Sequence, residues 1–293
     1  MTAADLLQGL VTAAYGRHYQ VESANSRFDC VARGKQSDTV TCGDRVQFKL
    51  TSPHQGVVER ILPRKSLLYR SVAHRSKLIA ANVDLAVIVV APEPSHYDML
   101  VNRCIIAAVA AGIEVMICLN KWDLGATAER VYQQMSVYRD LGYPVIHVSA
   151  MHDIDALRPY LSGKISAFVG QSGMGKSSLI NALIPGTETV TADLSTALDS
   201  GKHTTTSAKM YQLDADSRVI DSPGMQAFGL NHIRADQLDD LFIEFRPYLG
   251  LCRFSNCRHT HEPGCTVLQA QSSGKISATR LNAYHEILKS LPL

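Results

Sequence analysis

No apolar run in this chain approaches the roughly 18 residues that a membrane-spanning helix requires. The opening Met1-Thr-Ala-Ala-Asp5 has no basic stretch leading into an apolar secretory core. A transmembrane helix is therefore not expected, nor any membrane partner, and a cytoplasmic location is. Cysteine is sparse as well: seven in 293 residues are too few for a disulfide scaffold at this length. Cys30, Cys42, Cys104 and Cys118 stand singly in apolar or strand-like stretches and read as buried thiols. Internal repeats and low-complexity tracts are also lacking, so no repeat architecture is implied.

Net charge is low, +2, but it is unevenly spread. Residues 1–80 hold 12 Lys/Arg against 6 Asp/Glu, residues 81–244 hold 11 against 19, and residues 245–293 hold 6 against 2. Basic flanks thus bracket an acidic middle, which suits a chain whose ends touch a polyanion, although charge scatter gives the same count. Within the first flank, residues 18–62 alternate apolar and polar in short runs around Val21, Cys30, Cys42, Phe48 and Val57 to Leu62. Turn residues separate the runs, so about five strands of a small OB-like or SH3-like barrel are expected, followed by a basic connector at 64–80. Beyond it, Val83 to Val90, Glu114 to Leu119, Pro144 to Val148 and Ile165 to Val169 are continuous apolar segments of buried-strand length. Helical stretches near 96–111, 127–141 and 153–161 alternate with them, which predicts a mainly parallel α/β sheet. A hairpin at 208–221 and helices on either side of a Cys/His loop complete the chain.

Gly170-Gln171-Ser172-Gly173-Met174-Gly175-Lys176-Ser177, followed by Ser178, comes after an apolar strand and opens a helix. In that context the spacing is that of a phosphate loop. Backbone N–H groups approach the phosphates, Lys176 reaches the β- and γ-phosphates, and Ser177 is placed to bind Mg²⁺. The loop alone leaves ATP open. Asn120-Lys121-Trp122-Asp123 narrows the choice, because a carboxylate accepts from both N1–H and the N2 amine of guanine. Adenine offers neither, and an unpaired carboxylate is costly. Lys121 would flank base and ribose, and the Ala150 N–H of Ser149-Ala150 would face guanine O6. Asp221-Ser-Pro-Gly224 would bring Asp221 toward the metal and the Gly224 N–H to the γ-phosphate. Asn120 to Ala150 precede the phosphate loop, the reverse of the usual order in guanine-nucleotide switch proteins. A circular permutation follows.

Ras-like enzymes place a water-holding glutamine directly after the glycine of this last motif. Here Met225 stands there, and Gln226 lies one residue late. His203, in Gly201-Lys-His-Thr-Thr-Thr206, is the stronger candidate to orient the attacking water, with a neighbouring threonine on Mg²⁺. Near the end, Cys252-x4-Cys257-x-His259-x5-Cys265 offers three thiolates and an imidazole, enough for a closed structural zinc site. His261 is an alternative to His259, and an iron–sulfur cluster is an alternative occupant.

Taken together these residues resemble the ribosome small-subunit-dependent GTPase A family, through Gly43-Asp-Arg-Val46, the permuted order, Gly-Lys-His-Thr-Thr-Thr, Asp-Ser-Pro-Gly and the Cys/His ending. The resemblance implies three units: an OB-like barrel (1–75), a circularly permuted P-loop GTPase domain (76–232) and a helical zinc-binding module (233–293). It implies a GTP hydrolase that binds the 30S subunit and its 16S rRNA late in assembly, is stimulated by it, and leaves as a monomer with GDP. It assigns His203, Thr205 and Lys176 to catalysis, Ser177 and Thr205 to magnesium, and Cys252, Cys257, His259 and Cys265 to zinc. Members often carry a longer basic N-terminal arm and valine at the position of Met174. A non-catalytic, guanine-nucleotide-dependent RNA-binding adaptor is the rival reading.

Overall fold

The structure is a computed structural model and describes residues 6–32, 40–72, 75–96, 98–186, 208–222 and 230–291. His203, Thr205, Gly224, Met225 and Gln226 lie outside the described residues.

Five strands, β1 (Leu7–Tyr15), β2 (His18–Ser23), β3 (Ser26–Ala32), β4 (Arg45–Ser52) and β5 (Gln55–Ile61), close into a barrel in the order β1-β2-β3-β5-β4-β1. The parallel β3–β5 pair among antiparallel neighbours gives the barrel its OB-like connectivity. Its core is small: Val11, Tyr19, Val21, Cys30, Val40, Val46, Phe48 and Val58. Two expectations are corrected here. The first strand is Leu7–Tyr15, whose small residues blur the alternation, whereas Cys42 makes only an isolated bridge to Ala80. Residues 64–80 are not a plain connector, because β6 (Leu67–Val72) and β7 (Arg75–Ala81) form a hairpin across position 75. Leu68, Ile79 and Ala80 of that hairpin belong to the core of the next layer.

The α/β layer consists of β8 (Leu85–Val90), α1 (Asp98–Ala110), β9 (Glu114–Leu119), α2 (Ala126–Gln134), α3 (Ser136–Arg139), β10 (Val145–His147), α4 (Arg158–Leu161), β11 (Ile165–Val169), α5 (Lys176–Leu183), β12 (Lys209–Gln212) and β13 (Arg218–Asp221). Strand order is β10-β9-β8-β11-β13-β12, parallel except for β12. Every residue of β8 is buried, as a central strand covered on both faces requires. Ala86, Ile88 and Val90 face one core with α1, while Leu85, Val87 and Val89 face the other with α5. The first core continues without a break into the C-terminal α6 (Leu238–Leu241), α7 (Thr266–Ser272) and α8 (Ala278–Ser290).

Two features join barrel and sheet. β1 pairs with the edge strand β12 at Ala13 and Lys209, so eleven strands form one sheet. At the other side the wholly buried Asp44 accepts from Arg64 Nε at 2.6 Å and Nη2 at 2.8 Å. Asn82 Nδ2 donates to the Gly43 carbonyl at 2.8 Å, and the Lys65 N–H donates to Asn82 Oδ1 at 2.9 Å. Gly43 has φ +90°, and a Cβ there would stand 2.1 Å from the Ala81 carbonyl oxygen, so the Gly43-Asp44 turn admits no side chain.

Candidate functional site

The phosphate loop leaves the carboxyl end of β11, between β8 and β13, and runs into α5. A ligand crevice is expected outside the carboxyl ends of such strands. Lys176 is buried, with Nζ 2.9 Å from the Gly170 carbonyl and 2.8 Å from that of Gln171. Burial pushes its ammonium down to about 8, against the pull of Asp221. The same burial raises the Asp221 carboxyl, opposed by the Ser177 hydroxyl and Lys176. Ser177 Oγ stands 3.2 Å from Asp221 Oδ2, so the two residues expected around Mg²⁺ already share one corner of the site. This donor set, one hydroxyl and one carboxylate beside a phosphate loop, fits a hard cation.

Base-reading residues reach the same place from β9 and β10. Asn120 is buried and bridges the two halves: Nδ2 donates to the Met174 carbonyl at 3.0 Å, and Oδ1 accepts from the Ala150 N–H at 3.2 Å. Gly175, at φ +86°, is where the loop passes under this amide, and a Cβ would lie 2.2 Å from Nδ2. Ser149 Oγ donates to Asp123 Oδ1 at 2.6 Å and holds that carboxyl below its ordinary range. Asp123 is thus an exposed, oriented, ionised acceptor, as guanine requires. Lys121 adopts φ 63° and extends Nζ to the Glu93 carbonyl at 2.7 Å.

At the far end of the chain, one ligand atom from each of Cys252, Cys257, His259 and Cys265 lies within 4.8 Å of the others. Cys252 and Cys265 sulfurs are 3.9 Å apart, and His259 Nδ1 is 3.7, 3.6 and 3.2 Å from Cys252, Cys257 and Cys265. Tetrahedral zinc with ordinary Zn–S and Zn–N bonds demands edges of about 3.5–3.8 Å. The cluster fits such an ion. His261 is exposed and engaged with Thr260, outside this group.

Three neighbours have no signal in the motif spacing. Asp239, on α6, lies 3.6 Å from His259 Nε2, where it would fix the ring for a metal on Nδ1. Thr266 Oγ1 is 3.2 Å from Cys252 Sγ, and Ser222 Oγ donates to the Phe168 carbonyl at 2.6 Å, tying β13 to β11 below the phosphate loop. Only tertiary packing brings Asp239 to the cluster, so no reading of local sequence finds it.

A parallel sheet with its phosphate loop after β11 and its base-reading loops after β9 and β10 defines a circularly permuted P-loop GTPase. The RsgA GTPase family model matches residues 61–231, and the chain belongs to that family of GTP hydrolases. It is 49% identical to the small ribosomal subunit biogenesis GTPase RsgA of Nitrosospira multiformis, over 97% of this chain and 91% of the relative. Identity to the protein of the same name from Nitrosomonas europaea is 48%, over 97% and 92%. Among solved structures, YjeQ from Thermotoga maritima superposes with a TM-score of 0.76 at 30% identity, covering 97% of this chain and 98% of that one. YloQ, described as a circularly permuted GTPase, gives 0.71 at 27% identity, covering 99% and 96%.

Proposed function

We propose that this GTP hydrolase acts in late assembly of the small ribosomal subunit, in the cytoplasm and as a monomer. It binds the 30S particle and its 16S rRNA with GTP, hydrolyses GTP when stimulated by the particle, and leaves with GDP. The observation that carries this reading is the pair of relatives named for small-subunit biogenesis, similar over 97% of a chain whose nucleotide site is assembled. Residues 1–75, 76–232 and 233–293 form the barrel, the GTPase domain and the zinc-binding module.

Asp123 and the Ala150 N–H select guanine, and Asn120 keeps the base loop in register with the phosphate loop. Gly170 to Ser178 cradle the phosphates, with Lys176 turning from its two carbonyl partners toward the β- and γ-oxygens. Ser177 and Thr205 hold Mg²⁺, with Asp221 beside them, and the bound ion neutralises charge on the phosphate oxygens. Gly224 donates its N–H to the γ-phosphate, and His203 orients the attacking water. Zinc, held by Cys252, Cys257, His259 and Cys265, is structural, since all four positions are protein groups.

Turnover measured with and without 30S particles tests the reading. Stimulation by orders of magnitude is expected, since activators of switch GTPases contribute up to about 10⁵-fold. His203→Ala should keep guanine-nucleotide affinity and lose the stimulated rate; an unchanged stimulated rate removes His203 from the mechanism. Met225 favours the adaptor reading, because an apolar side chain cannot hold water. Equal 30S affinity with GDP and with a non-hydrolysable GTP analogue would decide for the adaptor.

A further inference from the structure

The outer face of β2 and β3, which OB-like barrels use to bind oligonucleotides, does not look into open solvent here. It forms one wall of a cleft of about 460 Å³, whose other wall is β12 and the start of β13. That volume lies in the range of ligand sites. Gln20 and Glu22 reach the cleft because they alternate with Tyr19 and Val21, which point into the barrel core. Arg27 comes from β3, Lys209 and Tyr211 from β12, and Arg218 from β13.

The charges are unequal. Arg218 is paired with Glu22, Nη2 to Oε1 at 3.3 Å, which holds the two walls together. Glu22 is the single acid lining the cleft, whereas Arg27 and Lys209 have no ion-pair partner among the described residues. Lys209 Nζ instead lies 5.0 Å from the centre of the Tyr211 ring. A concave surface with surplus cations and an aromatic ring is the combination that binds a single nucleic-acid strand, phosphates on the cations and a base on the ring.

We propose that this cleft between barrel and sheet is a binding site for a single strand of RNA, with Arg27 and Lys209 on its phosphates and Tyr211 as stacking platform. Its position gives it a second property. Gly186, at the exit of α5, and Lys209, at the entry of β12, both line the cleft. They flank residues 187–207, which include His203 and Thr205. A strand seated in the cleft therefore touches the chain on both sides of the expected catalytic residues. This second property rests on the proposed function; RNA binding does not.

Fluorescence anisotropy of a labelled short oligouridylate, with the full chain saturated in GDP and zinc, tests the site. The double variant Arg27→Glu with Lys209→Glu should bind at least tenfold more weakly than the wild type. Each lost phosphate contact should flatten the slope of log affinity against log salt by about 0.7. GDP affinity, followed by Trp122 emission, should not change, which also shows that the variant is folded. Arg130→Glu, an exposed substitution on α2, controls for overall charge, and equal weakening by it overturns the proposal. So does equal competition by polyglutamate, which would make the cleft a general anion sink. Photo-crosslinking of a thiouridine oligomer to the unmodified protein needs no variant: adducts within residues 12–27 or 209–218 support the site, and adducts confined to 246–265 overturn it. Stimulation by 30S is measured separately, and its absence in the wild type would defeat the proposed function while leaving the oligomer result standing.

Discussion

At the scale of single residues, nucleotide choice depends on one carboxylate. Asp123 accepts from Ser149 and presents its remaining lone pairs outward, so an amide there reverses one partner from acceptor to donor. Asp123→Asn should lower GDP affinity at least a hundredfold and raise that for xanthosine diphosphate, which carries a carbonyl where guanine has an amine. Trp122, stacked on His147 at 3.9 Å in the same motif, makes fluorescence titration the direct measurement. Lys176 gives a pH prediction. Its ammonium titrates near 8 in the free protein, and bound phosphates must raise it, so binding takes up a proton above that value. GDP affinity should therefore be lost as pH rises through 8, falling somewhat under tenfold between pH 7.5 and 9. Lys176→Arg, which stays charged, should flatten this dependence whatever its affinity. In the absence of nucleotide the sign reverses. The unfolded lysine holds its proton to about 10.5, so this group's stability penalty is full below 8 and is relieved as pH rises from there.

At the scale of elements, the C-terminal helices are fastened to the GTPase domain by a charge that is itself buried. Arg280 on α8 donates from Nε to Glu244 at 2.6 Å and from Nη1 to Asn102 on α1, with its guanidinium 4.5 Å from the centre of the Phe242 ring. Asn102 in turn donates to the Tyr138 hydroxyl at 3.1 Å. Removing the cation alone strands a carboxylate that is only 4% exposed. Arg280→Met should cost about 3–5 kcal/mol in denaturant unfolding, and Glu244→Leu added to it should restore most of the loss. The sequence announces the helix Ala278–Ser290 by its length and periodicity, but not what it docks against. Strands β8, β9 and β11 were legible because full burial writes continuous apolar runs. β1 was not, since Gly9, Thr12 and Ala13 carry almost no hydrophobic signal and the strand is held by pairing with β2, β4 and β12. The motifs placed the nucleotide-site residues correctly because phosphate and guanine fix both residue type and spacing. The cleft left no such mark, since its walls are 180 residues apart in the chain and meet only through folding.

At the scale of the whole molecule, three units by sequence share structure that the unit boundaries cut. The hairpin β6–β7, helix α1 and helices α6 to α8 all bury residues in one continuous core. Zinc-bound protein should therefore unfold cooperatively. Denaturation followed by Trp122 emission and by release of zinc to a colorimetric chelator should give coincident midpoints. Zinc loss at clearly lower denaturant would show that the Cys/His loop opens alone. Stripping the metal first should lower the Trp122 midpoint as well, because Phe245 and Tyr284 next to His259 lie in that same core.

The barrel's hold on the sheet is narrower than an eleven-stranded ladder suggests, and it depends on an irregularity. Between Val11 and Ala13 the partners on β2 advance by one residue instead of two, a bulge that leaves Thr12 as the extra residue. The bulge changes which side chains of β1 face the barrel interior just where Ala13 meets Lys209. Register in a strand has period two, so a single deletion inverts everything beyond it. Deleting Thr12 would let β1 and β2 pair evenly while turning the seam residue away from β12: the barrel would be unhooked without being dismantled. Limited proteolysis should then cut between barrel and sheet in the variant and spare that stretch in the parent chain. One surplus residue thus works as a latch, and the whole barrel hangs on it.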